Sequence, residues 1–198
     1  MSLRASYRLL APIYDPFIDR ASRAARAASL AALPRDGRLD VLISGIGTGL
    51  DLPYLPRAHR YVGVDLTPAM LRRAVRRAAG LELTLVEGDS QRLPFGDAVF
   101  DAAVLHLIVA VVPDPAACLR EAARVLRPGG SVLLIDKFLR PGSGAPLRRA
   151  LNPLSRRLAT RLDVVFEDVL RAVPELRLAE NAPLLLNGWF RRIRLTKT

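Results

Sequence analysis

One stretch constrains this chain more than any other: VLISGIGTGL, residues 41–50, an apolar run that ends in glycines at 45, 47 and 49. Glycine takes positive φ without strain, so a strand that ends this way can turn sharply and leave its backbone bare for close approach. The neighbouring stretches set the wider architecture. DVLIS (40–44) and RYVGVD (60–65) are apolar almost throughout, as parallel strands covered on both faces are. LELTLVE (81–87), AVFDAAVLH (98–106) and SVLLID (131–136) read as the third, fourth and fifth strands. TPAMLRRAVRRAAG (67–80) reads as a helix capped by Thr67, begun at Pro68 and closed by Gly80. A second helix, DPAACLREAARVL, starts at Asp114 and Pro115 and stops at the turn RPGG. Strands alternating with helices predict an α/β sheet with crossover helices.

Length and composition bound the rest. A chain of 198 residues suits a single domain with a full core. Helical pieces broken at Pro12 and Pro16 occupy residues 1–35, and the α/β core occupies 36–139. Over 140–198 a Pro-, Gly- and Arg-rich segment leads to a last strand pair in LRLAENAPLLL and GWFRRIRLTK. Apolar residues make up 51%, which argues against a disordered chain. The longest apolar run, AAVLHLIVAVV (102–112), is well short of the ~20 residues of a spanning helix. The opening MSLRASYRLL has no signal-peptide core, so a cytoplasmic protein is expected, soluble or peripheral on the inner face of the membrane. Cys118 is the only cysteine and His59 and His106 the only histidines, so no metal is expected. The net charge of +11, with only Lys137 and Lys197 as lysines among 30 basic residues, has two readings. It is either arginine-rich composition or an attraction to the phosphates of nucleic acid or anionic lipid.

What the turn holds is narrowed by what is missing. A P-loop needs Lys and then Ser or Thr after its glycines, and neither follows Gly49. The dinucleotide pattern G-x-G-x-x-G fails at Leu50. None of the tyrosines (7, 14, 54, 61) has the lysine of a short-chain dehydrogenase four residues on. Asp65 ends the second strand 20 residues after Gly45, where a carboxylate can accept from both ribose hydroxyls. Asp89 ends the third strand in EGDSQRLPF, where it can accept from an adenine amino group while the backbone at Ser90 meets the ring. Strand ends at successive crossings open onto one crevice, so the three features should converge.

On the stretches VLISGIGTG, YVGVDLTPAMLRRA, LVEGDSQRLPF, FDAAVLH and REAARVLRPGGSVLLID, covering residues 40–136, the chain resembles the class I S-adenosylmethionine-dependent methyltransferases. The resemblance implies a Rossmann-like α/β sheet of seven strands, the last antiparallel, with helices on both faces and an N-terminal helical lid. It implies S-adenosylmethionine as cofactor, with Gly45, Gly47, Thr48 and Gly49 at its methionine part, Asp65 on the ribose, and Asp89 and Ser90 at the adenine. Leu66, Met70 and His106 complete the expected cofactor contacts. Ile43 departs from the pattern, since many relatives carry Glu there. Isoleucine cannot accept from the cofactor's amino group, so Ser44 or backbone carbonyls would serve, and a weaker hold on the cofactor is expected.

Methyl transfer from a sulfonium needs alignment, dry surroundings and, for an amine acceptor, removal of a proton. His106, ending the fourth strand, and Tyr14, in the leading segment YRLLAPIYDPF, are the candidate catalytic residues. His59 lies in a polar linker and is expected on the surface. Methylation of nucleic-acid bases is disfavoured, because HLIVAVVPDP stands where those enzymes carry Asn/Asp-Pro-Pro-aromatic, and the lone cysteine excludes arsenic methylation. More locally, Y…APIYDPF, GIGTGLDLPYL, VVPDPAACLREAARVLRPGG and NPLSRRL resemble the bacterial phosphatidylethanolamine N-methyltransferases, neighbours of the ubiquinone and menaquinone C-methyltransferases. This implies a lipid or other small-molecule acceptor. Asp136 and Lys137 stand where the lipid enzymes are expected to carry an Asn-His pair. Arg4, Arg8, Arg20, Arg23 and Arg26, beside Ile13, Tyr14, Phe17 and Ile18, suggest a basic amphipathic lid for an anionic membrane. Arg148, Arg149, Arg156, Arg157 and Arg161 would extend that face.

Overall fold

The computed structural model describes residues 22–139, 163–185 and 188–198. Seven strands form one sheet: β1 (Asp40–Ser44), β2 (Arg60–Asp65), β3 (Glu82–Glu87), β4 (Phe100–His106), β5 (Leu126–Lys137), β6 (Leu176–Leu185) and β7 (Phe190–Lys197). Their order is β3-β2-β1-β4-β5-β7-β6. The pairings among β1 to β5 are parallel, and β7 runs antiparallel between β5 and β6. The expected sheet with its antiparallel last strand is present. The order reverses direction between β1 and β4, and such a switch point leaves a crevice beyond the carboxyl ends of the strands.

Successive strand residues point to opposite faces, which explains why DVLIS is apolar at nearly every position. Leu42, Ala103, Leu105 and Leu134 pack with Leu119 and Ala122 of α3 (Pro115–Val125) and with Phe166 and Val169 of α4 (Phe166–Arg171). Val41, Ile43, Val104 and Leu133 pack on the other face, with Leu30 and Leu33 in and after α1 (22–30) and Ala74 of α2 (Pro68–Val75). Helices therefore cover both faces.

Local chemistry explains several element ends. The α3 helix starts as expected, with the Asp114 carboxylate accepting from Ala117 N at 3.0 Å and Pro115 in the first turn. Thr67 sits at the start of α2, but its hydroxyl makes no capping bond there; its N–H donates instead to Asp65. RPGG is not a clean stop between helix and strand. Pairing jumps from Phe100↔Leu126 to Ala102↔Ser131, so residues 127–130 bulge out of β5 with Gly129 at φ 79°. His59 is also corrected: it is buried, not superficial. Its Nδ1 accepts from Leu39 N at 3.3 Å, which leaves Nε2 protonated to donate to Pro34 O at 2.7 Å.

Tyr14, Arg4, Arg8 and Arg20, together with the arginines at 148, 149, 156, 157 and 161, lie outside the described residues. Among the described residues, no helix is long and apolar enough to cross a membrane.

Candidate active site at the carboxyl ends of the strands

The glycine turn follows β1 directly. Gly45, Gly47 and Gly49 all take positive φ, at 72°, 55° and 80°. Gly45 is also sterically required, since a Cβ there would fall 2.6 Å from Ile108 Cγ1. At Gly47 the opposite holds: an added Cβ would meet nothing closer than Gly45 O at 3.9 Å. The turn is thus packed on one side and open on the other, as a cradle for a ligand requires.

Two hydrogen bonds tie the three strand ends together. Gly47 N donates to Asp65 Oδ2 at 2.9 Å, joining the turn to the end of β2. Ser44 Oγ donates to Ser90 Oγ at 2.8 Å, joining the end of β1 to the loop after β3. The convergence expected from the sequence is therefore present. The other Asp65 oxygen accepts from Thr67 N at 2.8 Å. A carboxylate has about four acceptor sites, so Asp65 keeps capacity for two further donors. Burial pushes its carboxyl above the ordinary value, against the lowering effect of the Thr67 and Gly47 N–H groups.

Around this centre, Leu66 is exposed while Met70 and Thr48 are buried, and Arg77 Nη1 braces Thr48 O at 2.5 Å. Asp89 is oriented by a residue that sequence reading passed over. Gln91 donates to Asp89 Oδ1 from its backbone N at 2.9 Å and from its side-chain amide at 3.1 Å. Its Oε1 in turn accepts from Asp114 N at 2.8 Å, which ties the Asp89 loop to the start of α3.

His106 does not have a ring nitrogen to spare. Nδ1 lies 2.6 Å from Asp51 Oδ1 and Nε2 lies 3.0 Å from Ser29 Oγ. The same Asp51 oxygen accepts from Arg26 Nη1 at 2.7 Å, and Arg26 Nε donates to Ser22 Oγ at 2.9 Å. Arg26, Ser29, Asp51 and His106 are each at most 5% exposed. Burial alone would raise the Asp51 carboxyl; the charges of His106 and Arg26 and their hydrogen bonds more than reverse this and hold it far below the carboxylate range. With Asp51 ionised, Nδ1 of His106 carries the proton. Serine, histidine and aspartate in this order resemble a hydrolase relay. Here, however, the hydroxyl belongs to the interior of α1 and is buried, so it offers no accessible nucleophile.

Arg26 is thereby removed from the expected membrane-facing set: it points inward. The sequence does carry a trace of this. Ala25, Arg26, Ser29, Leu30 and Leu33 form one buried stripe at helical spacing, and two of its members are polar. Ile43 lies in the apolar cluster on the same face of the sheet. The carboxylate on that side of the turn comes from Asp51 instead.

The Asp136 and Lys137 pair ends β5. Asp136 is buried, pushed upward by that burial, and accepts from Ala110 N at 2.9 Å and Lys137 N at 2.8 Å. It braces the loop after β4. Ile135 pairs with His106, so Lys137, two residues on, lies on the same face as His106 at the crevice end. Burial pulls its ammonium below the ordinary lysine value, and the Asp136 charge opposes this.

A bare glycine turn, a ribose-competent carboxylate and a second acid on adjacent strand ends define an α/β protein that holds an adenosyl cofactor. The family model of the methyltransferase domain matches residues 39–134. The phosphatidylethanolamine N-methyltransferase of Cereibacter sphaeroides is 34% identical over 191 residues, 93% of either chain. The demethylmenaquinone methyltransferase of Roseiflexus castenholzii is 40% identical over 123 residues, 60% of this chain and 50% of that one. In fold, a methyltransferase of Thermotoga maritima described as a possible histamine N-methyltransferase superposes with a TM-score of 0.73 at 20% identity, covering 99% of this chain and 100% of the other. This chain belongs to the S-adenosylmethionine-dependent methyltransferases, and S-adenosylmethionine is its cofactor.

Proposed function

We propose that this methyltransferase acts on the amine of an ethanolamine-bearing phospholipid head group. The reach of the likeness carries the reading. Similarity to the phosphatidylethanolamine enzyme runs through 93% of both chains, whereas similarity to the quinone enzyme stops at 60% of this one. The cofactor core is common to many acceptor classes, so likeness that extends beyond it bears on the acceptor.

Bound S-adenosylmethionine supplies a methyl group already activated by a sulfonium. The residues of this chain then have to hold, orient and keep dry. In this reading Gly45, Gly47, Thr48 and Gly49 cradle the methionine part, and Asp65 accepts from the ribose hydroxyls. Leu66 and Met70 cover the adenosine, while Asp89 and Ser90 meet the adenine edge, with Gln91 aiming Asp89. His106 is a positioning residue and not the base for the amine, because both ring nitrogens are engaged inside the protein. Tyr14, which lies outside the described residues, is kept as a candidate for orienting the amine on the strength of the leading segment YRLLAPIYDPF alone. Lys137, a cation at the crevice end of β5, suits the phosphodiester beside the amine. A basic protein that meets phospholipid head groups would act at an anionic membrane surface.

The test offers radiolabelled S-adenosylmethionine with phosphatidylethanolamine vesicles and, separately, with demethylated quinone precursors. Label in the phospholipid fraction is expected. Label confined to the quinone fraction would replace the lipid reading with C-methylation.

A further inference from the structure

We infer that Arg26 and Ser29 of α1 are positioning residues for the cofactor: acting through Asp51 and His106, they make docking of α1 and readiness of the glycine turn one event. Cofactor binding and α1 docking then strengthen each other.

Backbone hydrogen bonds and close packing hold the turn. Gly49 N donates to Ile46 O at 3.0 Å, Leu52 N to Gly49 O at 3.1 Å, and Tyr54 N to Asp51 O at 3.0 Å. Gly49 is packed so closely that a Cβ there would fall 2.8 Å from Leu52 Cδ1. Residues 45–49 and the turn at Leu52–Tyr54 therefore move as one piece, with Asp51 at its centre. That piece is fastened to the rest of the molecule on two sides. On one side Gly47 bonds to Asp65. On the other, Asp51 receives Arg26 at 2.7 Å and His106 at 2.6 Å, and Ser29 closes the chain on the far nitrogen of His106.

Withdrawal of α1 would leave a buried carboxylate without its arginine and the histidine without its serine. A carboxylate in that position must take up water or a proton, or move the loop that carries it. The docked α1 and the ordered turn are therefore the same state. Any ligand that favours this state must favour docking of α1 by the same factor, because coupling between two sites is reciprocal. Other contacts also hold α1, among them apolar packing through Ala25, Leu30 and Leu33 and a bond from Arg192 Nη1 to Ala28 O at 3.1 Å. The network is the part of that hold that reaches the glycine turn.

The inference rests on the cofactor occupying the glycine turn, and the test separates the two. Calorimetry with S-adenosylhomocysteine is run on the full chain and on Arg26→Met, Arg26→Lys, Ser29→Ala, Asp51→Asn and the Arg26→Met/Asp51→Asn double variant. Hydrogen exchange is followed across residues 22–30 of the wild type with and without saturating ligand. Arg26→Met is expected to weaken binding about 10-fold, within the usual range of coupling between sites. Arg26→Lys should recover part of that loss, and Ser29→Ala should cost about threefold. In the Asp51→Asn background, Arg26→Met should change affinity less than about twofold, because the path is already cut. Ligand should slow exchange across α1. A folded Arg26→Met that binds within twofold of wild type would overturn the inference, and so would exchange in α1 that ignores saturating ligand. If Arg26→Met does not fold, Ser29→Ala and the wild-type exchange decide. A wild type that binds no S-adenosylhomocysteine overturns the placement of the cofactor as well, which is a separate and recognisable failure.

Discussion

Two carboxylates flank the glycine turn, and their surroundings drive them in opposite directions. Asp65 is pushed up by burial, and the neutral N–H groups of Thr67 and Gly47 do not reverse the shift. Asp51 also suffers burial, yet His106 and Arg26 hold it far below the ordinary carboxylate. Burial disfavours the charged form of both; the partners differ. Asp65 keeps acceptor capacity beside open space, so hydroxyls from a ligand would stabilise its ionised form. Asp51 is completed from within the protein. Asp65, with acceptor sites to spare beside the turn, is the acid we propose for the ligand, and Asp51, bonded to Arg26 and His106, is the acid we propose to hold the turn still.

The contrast can be broken most forcefully at Asp51. Asp51→Ala leaves Arg26 buried without its carboxylate and should cost about 3–5 kcal/mol in urea unfolding at pH 7. Its folded value is depressed, so the stability it contributes is present above about pH 4 and is lost as the pH falls below that. The gap between wild type and Asp51→Ala should therefore narrow at about pH 3. A gap independent of pH would mean that the ion pair is not its cause.

Asp65→Asn should show the reverse profile. It should cost far less stability than Asp51→Ala while weakening S-adenosylhomocysteine binding about 100-fold, the loss of two charge-assisted hydrogen bonds at roughly 1.5 kcal/mol each. Equal losses of stability in the two variants would erase the distinction drawn between the acids.

A smaller effect sharpens the same point. Ribose hydroxyls bonded to Asp65, as proposed, would favour its ionised form, so affinity should fall by about threefold as the pH is lowered through its raised value. That slope should be absent in Asp65→Asn. Smallest of all, Gln91→Ala removes the amide that aims Asp89 and should weaken binding about twofold, under the usual ~1 kcal/mol of one hydrogen bond. No change in affinity would show that the backbone bond from residue 91 orients Asp89 unaided.

Much of this site was legible in the sequence, for local reasons. A strand that ends in alternate glycines must turn, and an acid that ends the next parallel strand must lie near that turn. The Gly47–Asp65 bond follows from those two facts. Arg26 reads as part of a solvated basic row with Arg20 and Arg23, and nothing local says that Asp51 lies opposite it. His59 was misread for a similar reason, since its partners Pro34 and Leu39 precede it by a strand. Gln91 was overlooked because a glutamine in a loop carries no pattern at all.

The sequence by itself determined the sheet, the turn and the acids at its strand ends, because each depends on residues within one strand–turn–strand unit. Only the tertiary structure decided that Asp51 would be met by Arg26, 25 positions away, and by His106, 55 positions away, and that Ser29 would close the network across 77. Such bonds require atoms about 3 Å apart. That distance is set by how α1 docks and how β1 and β4 align, and no periodicity along the chain records either.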